Sequence, residues 1–445
     1  MTDLTQFMPR DSATVDAIYA YHKKRGDSEP KRGYLGASII GHECERYLWY
    51  CFRQACKPEF SGRLYRLFET GDLEEVRFHK ELRAIGCTVY EVDGHGNQWE
   101  VNTLSGHISG HMDGAALGIP EAPKTWHVLE FKTHNAKSFT KLKKEGVQKS
   151  KPMHYAQMMT YMHLTGMKRA LYIARNKNTD ELYSERIRYN KDEAQFLMDR
   201  ARRIITSNTP PERSAPRRDY FSCKWCDAKD VCWGTEAPKA ALPVPSLSCR
   251  QCCHATPRMD GIARWSCKLH GRSLSPTDQD KCCEGHLVLP GLISFAEPTD
   301  YQQYDNSWEH IEFTNTDGSK WLHGNAVNCL SSRDLMVMPA NLTADPMLQG
   351  AREVFNGMVV TDVQNNVLSR YTDETSTLVW KGKPNEIVGV WAKVFTDDLR
   401  TLTPTAKCNN EFYRAAEVDG LRAAFIHTDP DISKPDWAEI RVGKQ

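Results

Sequence analysis

The stretch from Gly106 to Tyr161 constrains this chain more than any other. Gly106-His-Ile-Ser-Gly-His-Met-Asp113 and Trp126-His-Val-Leu-Glu130-Phe-Lys132-Thr133 have the length and composition of strands. Gly118-Ile-Pro-Glu-Ala-Pro-Lys124 between them carries turn residues, so the pattern predicts a hairpin. If the hairpin is symmetric, its midpoint lies between Glu121 and Ala122, and Asp113 then stands directly opposite Glu130. Cross-strand neighbours bring their Cβ atoms to within about 5 Å, close enough for two carboxylates to share one divalent ion. Glu130 and Lys132 are two residues apart, so a strand turns both to the same face.

Two carboxylates at a strand end suit a hard cation with oxygen ligands, Mg²⁺ or Mn²⁺. Such an ion acidifies a bound water and neutralises charge building on a phosphodiester. An adjacent amine can orient the attacking water or stabilise the developing charge. Downstream, Gln157 and Tyr161 are spaced to share one face of a helix, where an amide and a phenol could hold a phosphate or the lysine. Taken singly, an Asp and a Glu-x-Lys are common on solvated strand faces. The agreement of order, spacing and expected elements is what carries the reading.

The pattern Asp113…Glu130-x-Lys132…Gln157-x-x-x-Tyr161 resembles the RecB-type branch of the PD-(D/E)XK nucleases over roughly residues 35–235. The resemblance implies that Asp113, Glu130 and the carbonyl of Phe131 bind the catalytic metal and that Lys132 is catalytic, with Gln157 and Tyr161 completing the site. In the family an upstream helix usually supplies a His in a Gly-x-x-x-His arrangement. Here Gly71-Asp-Leu-Glu-Glu75 sets Glu75 at that place, as a metal ligand or a residue just behind one.

A chain of 445 residues suggests two or three domains. With 26% charged and 40% hydrophobic residues it has an ordinary globular composition, no apolar run of membrane-spanning length, and a start that lacks the pattern of a secretory signal. These features point to a cytoplasmic protein with no membrane partner. A net charge of +1 is neutral evidence on nucleic acid, but Lys137, Lys141, Lys143, Lys144, Lys149 and Lys151 crowd the segment after the candidate site, as a solvated loop or a phosphate-contacting arm.

Along the chain, an N-terminal helix gives way to a break at Asp27–Gly33, and Cys44 stands near the start of a second helix. Apolar positions from Leu64 to about Ile85 predict a helix in one or two pieces, broken near Gly71. Residues 87–90 and 99–102 read as strands, as do Arg169–Arg175 and Leu182–Tyr189, and Asn190 is a fitting N-cap for a helix to about Ile205. The fold class expected for 1–236 is α/β, a mixed central sheet flanked by helices.

Fifteen cysteines in a long intracellular chain point to metal rather than disulfides. Cys223, Cys226 and Cys232 leave a fourth ligand to be found. In the RecB-type nucleases with an iron–sulfur cluster, as in CRISPR-adaptation and AddB-type enzymes, three such cysteines join one upstream of the core. The resemblance makes Cys44, on its Cys-x-Arg-x-x-Trp-Tyr helix, that ligand, with Cys51 as its competitor. Soft thiolates suit a [4Fe–4S] cluster or Zn²⁺. A linker at 237–245 leads to a zinc-knuckle-like module at 246–290, similar to a cysteine-rich extension of phage-encoded nucleases. Its preferred ligands are Cys249, Cys252, Cys267 and Cys283, with Cys253, Cys282 and His286 as substitutes. Residues 291–445 read as a β-rich or α+β region with no catalytic constellation.

The sequence thus predicts a metal-dependent DNA nuclease, an exonuclease processing DNA ends, and the resemblance implies a phage or bacterial recombination or repair system, with a single-strand annealing or recombination protein as a possible partner. The rivals are an endonuclease or CRISPR-adaptation-like end trimmer and, from another class, a non-catalytic DNA-binding or scaffold protein.

Overall fold

A computed structural model describes residues 12–235, 240–299, 309–326, 329–338 and 340–344, together with the backbone of strands between 358 and 444. The elements around the site are, in chain order, α1 (Ala13–Asp27), β1 (Leu35–Gly36), α2 (Glu45–Phe52), α3 (Gly62–Ala84), β2 (Thr88–Tyr90), β3 (Glu100–Thr103), β4 (Ile108–His111), β5 (Ala115–Leu117), β6 (His127–His134), α4 (Ala136–Ser150), α5 (Pro152–Thr165), β7 (Arg169–Asn176), β8 (Leu182–Arg188) and α6 (Lys191–Thr206).

Five of the strands form one mixed sheet in the order β2-β5-β6-β7-β8. β6 and β7 run parallel, joined by the α4–α5 crossover, and the remaining neighbours are antiparallel. The fold is therefore mixed α/β. Alternation along the strands divides two apolar layers. Leu129, Phe131, Leu171 and Ile173 face Phe78 and Leu82 of α3. Val128, Ala170, Tyr172 and Ala174 face the opposite way, into the core that holds Met158, Met159 and Met162 of α5 and Ala201 and Ile204 of α6. Asn190 caps α6, its side chain accepting from the N–H groups of Asp192 and Glu193.

Two local expectations are corrected. α3 runs unbroken through Gly71. One glycine inside a helix costs only about 1 kcal/mol, which burying Phe78 and Leu82 outweighs. The hairpin arm before the turn is also divided. β4 pairs with β1 and β3 in a separate three-stranded sheet, and only β5 joins β6. The register nevertheless follows the symmetric count, with Ala115 opposite Val128 and Ala116 opposite His127. Gly114, at φ +134°, makes the switch between the two sheets, and a Cβ there would lie 2.8 Å from the Tyr90 carbonyl.

The larger core continues past residue 236. Ala241, Leu242 and Val244, read from the sequence as linker, are buried in it, as are Cys252, Trp265, Leu287 and Phe313. Residues 255–274 form a small antiparallel sheet whose middle strand carries Trp265. Its indole is fully buried, stacked on Phe52 of α2 at 5.6 Å between the guanidinium groups of Arg53 (4.9 Å) and Arg250 (5.2 Å). Beyond residue 345 the described backbone is strand. It includes Val390–Lys393 and Leu421–His427, within the region read as β-rich or α+β.

Candidate active site and thiol clusters

Asp113 follows β4 at the point where the chain leaves one sheet for the other, and Glu130 and Lys132 project from the same face of β6. Asp113 is pinned from two sides. Its Oδ2 accepts the N–H of Phe131 at 2.7 Å, and its carbonyl lies 2.6 Å from His79 Nε2. Glu130 is fully buried. The Lys132 ammonium stands 2.5 Å from Glu130 Oε1, 2.9 Å from the Phe131 carbonyl and 4.0 Å from Asp113 Oδ2. The two acids, the Phe131 carbonyl and the amine thus converge on one point, and the positive charge now at that point belongs to the lysine. Glu130 Oε2 is buried with no hydrogen-bond partner. An orphaned carboxylate oxygen in a dry site is what a cation would satisfy.

Electrostatics fit the same picture. Burial pushes the Glu130 carboxyl up to about 7, against the pull of Lys132. Burial and then the charge of Asp113 push Glu75 up to about 8. For Lys132, burial acts to lower the pKa, but Glu130 and Asp113 outweigh it and hold the ammonium charged. Glu75 thus belongs to the same charge cluster as Asp113 and Glu130, on the helix the sequence pointed to. Protons compete with a divalent cation for Glu130 and Glu75, so cation affinity should climb steeply from pH 6 to pH 9. Glu75→Gln should remove the upper part of that rise. Mn²⁺ binding followed by calorimetry across this range checks it, and a flat profile would contradict it.

Gln157 and Tyr161 do share a helix face, but both are buried. Gln157 Nε2 donates to the Tyr161 hydroxyl at 3.1 Å, and that hydroxyl donates to the His111 carbonyl at 2.8 Å. They hold the β4 end that carries Asp113 in place of reaching open solvent. Gly110 makes room, since a Cβ there would come within 2.7 Å of the Tyr161 ring. His79 escaped the sequence reading. Its signal was available: it lies one helical turn beyond Glu75, on the same face of α3. Also missed was a polar chain beside Lys132. The Tyr172 hydroxyl meets His134 Nε2 at 2.9 Å and His154 Nδ1 at 3.0 Å, and His134 Nδ1 meets Ser138, which accepts from Lys151. Burial first, then nearby lysines including Lys132, lowers His134 to about 4 and His154 to about 3, so both rings are neutral.

A groove of about 340 Å³ opens beside the cluster, lined by Phe68, Asp72, Glu75, Phe131, Lys132 and Lys177. Of the basic run after the site, Lys143 pairs with Glu181 and Lys141 with Glu145, both on the surface.

Cys44 is the N-cap of α2 and lines one small cavity together with Cys223, Cys226 and Cys232. Burial first, then the charges of the other three thiols, raises Cys226 to about 11. Cys51, the competitor, lies instead 3.8 Å from Cys56. The second group also gathers. Burial and then Cys283 and Cys267 raise Cys249 to about 11, and burial with Cys249 and Cys283 nearby raises Cys252 to about 12. Thiols that hinder one another's ionisation are a fit for a cation, which reverses that penalty. The substitutes fare less well. Cys253 donates to the Val288 carbonyl, and both His286 ring nitrogens are engaged, by Ser332 and by the Ser248 carbonyl. Cys282 points to the Cys283 carbonyl, and His270 lies 3.4 Å from the Cys283 thiol. Among the described residues no three His, Cys, Asp or Glu side chains stand in an arrangement that would hold a metal ion without adjustment. Nor is any described helix long and apolar enough to cross a membrane.

No protein-family model and no curated protein matches this chain. Among solved structures, that of SSO0001 covers 50% of this chain and 96% of its own, at 16% identity and a TM-score of 0.32. LHK-Exo in complex with dAMP covers 42% of this chain and 90% of its own, at 17% identity and a TM-score of 0.30. A second crystal structure of LHK-Exo, an alkaline exonuclease from Laribacter hongkongensis, has the same coverage at 15% identity and a TM-score of 0.27. Two of the three are thus structures of an exonuclease. At these scores the likeness carries no argument, and the site stands on its own geometry.

Proposed function

We propose that this chain is a Mg²⁺- or Mn²⁺-dependent deoxyribonuclease of the RecB-type PD-(D/E)XK kind, an exonuclease that hydrolyses DNA from its ends in recombination or repair. The observation that carries the reading is the convergence of Glu130, the Phe131 carbonyl and Asp113 on a single point beside an open groove. Those three oxygens, with Glu75 at the margin, would hold the ion, which when bound supplies a Lewis acid for the phosphodiester. The chain's own residues do the rest. The Phe131 N–H and His79 hold Asp113 in position, and Tyr161 and Gln157 fix the strand before it. Lys132 lines the groove and presents its charge to a phosphate there, where negative charge grows as the new P–O bond forms. In this reading a single-strand annealing or recombination protein of the same cell is the natural partner.

The test is digestion of end-labelled linear DNA beside closed circular DNA of the same sequence, with Mg²⁺ or Mn²⁺. Loss of the linear form alone supports the exonuclease. Cutting of the circle makes it an endonuclease, and binding without cleavage of either makes it a scaffold.

The same proposal assigns Cys44, Cys223, Cys226 and Cys232 to a [4Fe–4S] cluster and Cys249, Cys252, Cys267 and Cys283 to a structural Zn²⁺. Zn²⁺ is the alternative at the first group, since four soft thiolates lining one cavity suit either centre. Protein prepared without oxygen should be brown and absorb broadly near ~400 nm if the cluster is present. Cys226→Ser should bleach it and lower its melting temperature. Colourless, iron-free protein with two equivalents of zinc would establish the second reading.

A further inference from the structure

We propose that the loop carrying Cys223 and Cys226 is a stacking platform for the unpaired bases of single-stranded DNA, an inference that rests on the DNA-processing reading above. Phe221 and Trp225, four residues apart on this loop, are 75% and 85% exposed. A large aromatic side chain left this open gains little for the fold, and the ring contacts of these two are with their own chain neighbours, Tyr220 and Lys224. The Tyr220 ring, 4.8 Å from that of Phe221, extends the same aromatic surface.

The surroundings are charged. From Glu212 to Asp230 five basic side chains accompany four acidic ones, and Asp219 and Asp230 are paired with Arg217 and Arg218. Lys224 Nζ lies 5.4 Å from the centre of the Trp225 ring, and the Arg217 side chain is 72% exposed, paired with Asp219 at 2.7 Å. The loop is also held firmly. Arg213 donates to the Cys232 carbonyl at 2.8 Å, Arg218 pairs with Asp230, and the Cys223 and Cys226 N–H groups donate to the Tyr220 and Cys223 carbonyls.

Aromatic faces beside lysine and arginine are the chemistry that binds single strands without regard to sequence, because every base has a π-face to stack. Duplex DNA hides those faces inside its own stack, so the platform should discriminate against it. A protein partner would call for an apolar groove around the two rings, and the flanks here are charged.

The test uses the full chain with its metals in place and fluorescence anisotropy in buffer free of Mg²⁺ and Mn²⁺, where nothing is cleaved. The probes are an oligodeoxythymidylate and a hairpin-capped duplex. Phe221→Ser with Trp225→Ser should weaken oligodeoxythymidylate binding roughly tenfold or more, leave duplex binding within about twofold, and leave iron and zinc content unchanged. Phe221→Tyr with Trp225→Phe should restore most of the affinity, and it decides the matter if the serine variant loses its metal. Unchanged binding in the serine variant, an equal loss for duplex, or no single-strand binding by the unaltered protein would each overturn the proposal. A chain that binds single strands through these rings yet digests no DNA would keep the platform and overturn only the nuclease reading.

Discussion

Replacing Glu130 with Gln is expected to lower DNA hydrolysis by at least about 10³-fold, ~4 kcal/mol of transition-state stabilisation, while the protein stays folded. The size follows from the position. Glu130 is fully buried, and one of its oxygens has no donor at all. No solvent or neighbouring acid can replace it as a ligand. Gln keeps the shape, and because burial already disfavours the Glu130 charge, the neutral amide should change the melting temperature of the metal-free protein little. What should vanish is the rise in melting temperature that Mn²⁺ produces by binding only the folded state. Asp113→Asn should behave alike. Glu130→Ala is the poorer test, because it leaves the Lys132 ammonium facing a cavity and mixes a stability loss with a chemical one. Lys132→Met should abolish turnover but retain the Mn²⁺ response. Near-normal digestion by the Glu130→Gln protein would remove this cluster from consideration as the active site.

Trp265→Ala is expected to cost about 3–5 kcal/mol of stability and to bring down the nuclease core together with the cysteine-rich segment. The indole fills the space between Phe52, Arg53 and Arg250. Both guanidinium groups are buried and bridge the two regions. Arg250 donates to the Phe52 carbonyl at 3.0 Å and to Gln279 at 2.6 Å, while Arg53 donates to the carbonyls of Ser207 and Arg250. Removing the ring loosens the seat of two charges whose hydrogen bonds depend on it, so the damage should spread to α2 and with it to Cys44. Calorimetry should show a single transition shifted down. Two separate transitions, with the nuclease part unmoved, would mean that the cysteine-rich segment folds independently.

The strand register around the candidate site was legible in the sequence because strand geometry is periodic. Turn residues at 118–124 set the hairpin count, and that count alone places Asp113 opposite Glu130 and turns Lys132 to the same side. The N-cap of α6 and the mixed sheet were legible for the same reason: local hydrogen-bonding chemistry and alternation are written in neighbouring residues. The grouping of Cys44 with Cys223, Cys226 and Cys232 was reached through resemblance, since nothing local links residues so far apart. Only the tertiary structure could decide that Tyr161 and Gln157 are buried supports, because a helical face does not reveal which element will cover it. The same holds for His79, whose partner is a backbone carbonyl 34 positions away, and for the two arginines around Trp265. Residues 237–245 read as linker because the run has few features that could build a core, yet Ala241, Leu242 and Val244 are core. Burial of that kind depends on what the rest of the chain packs against it, and only the folded chain supplies that information.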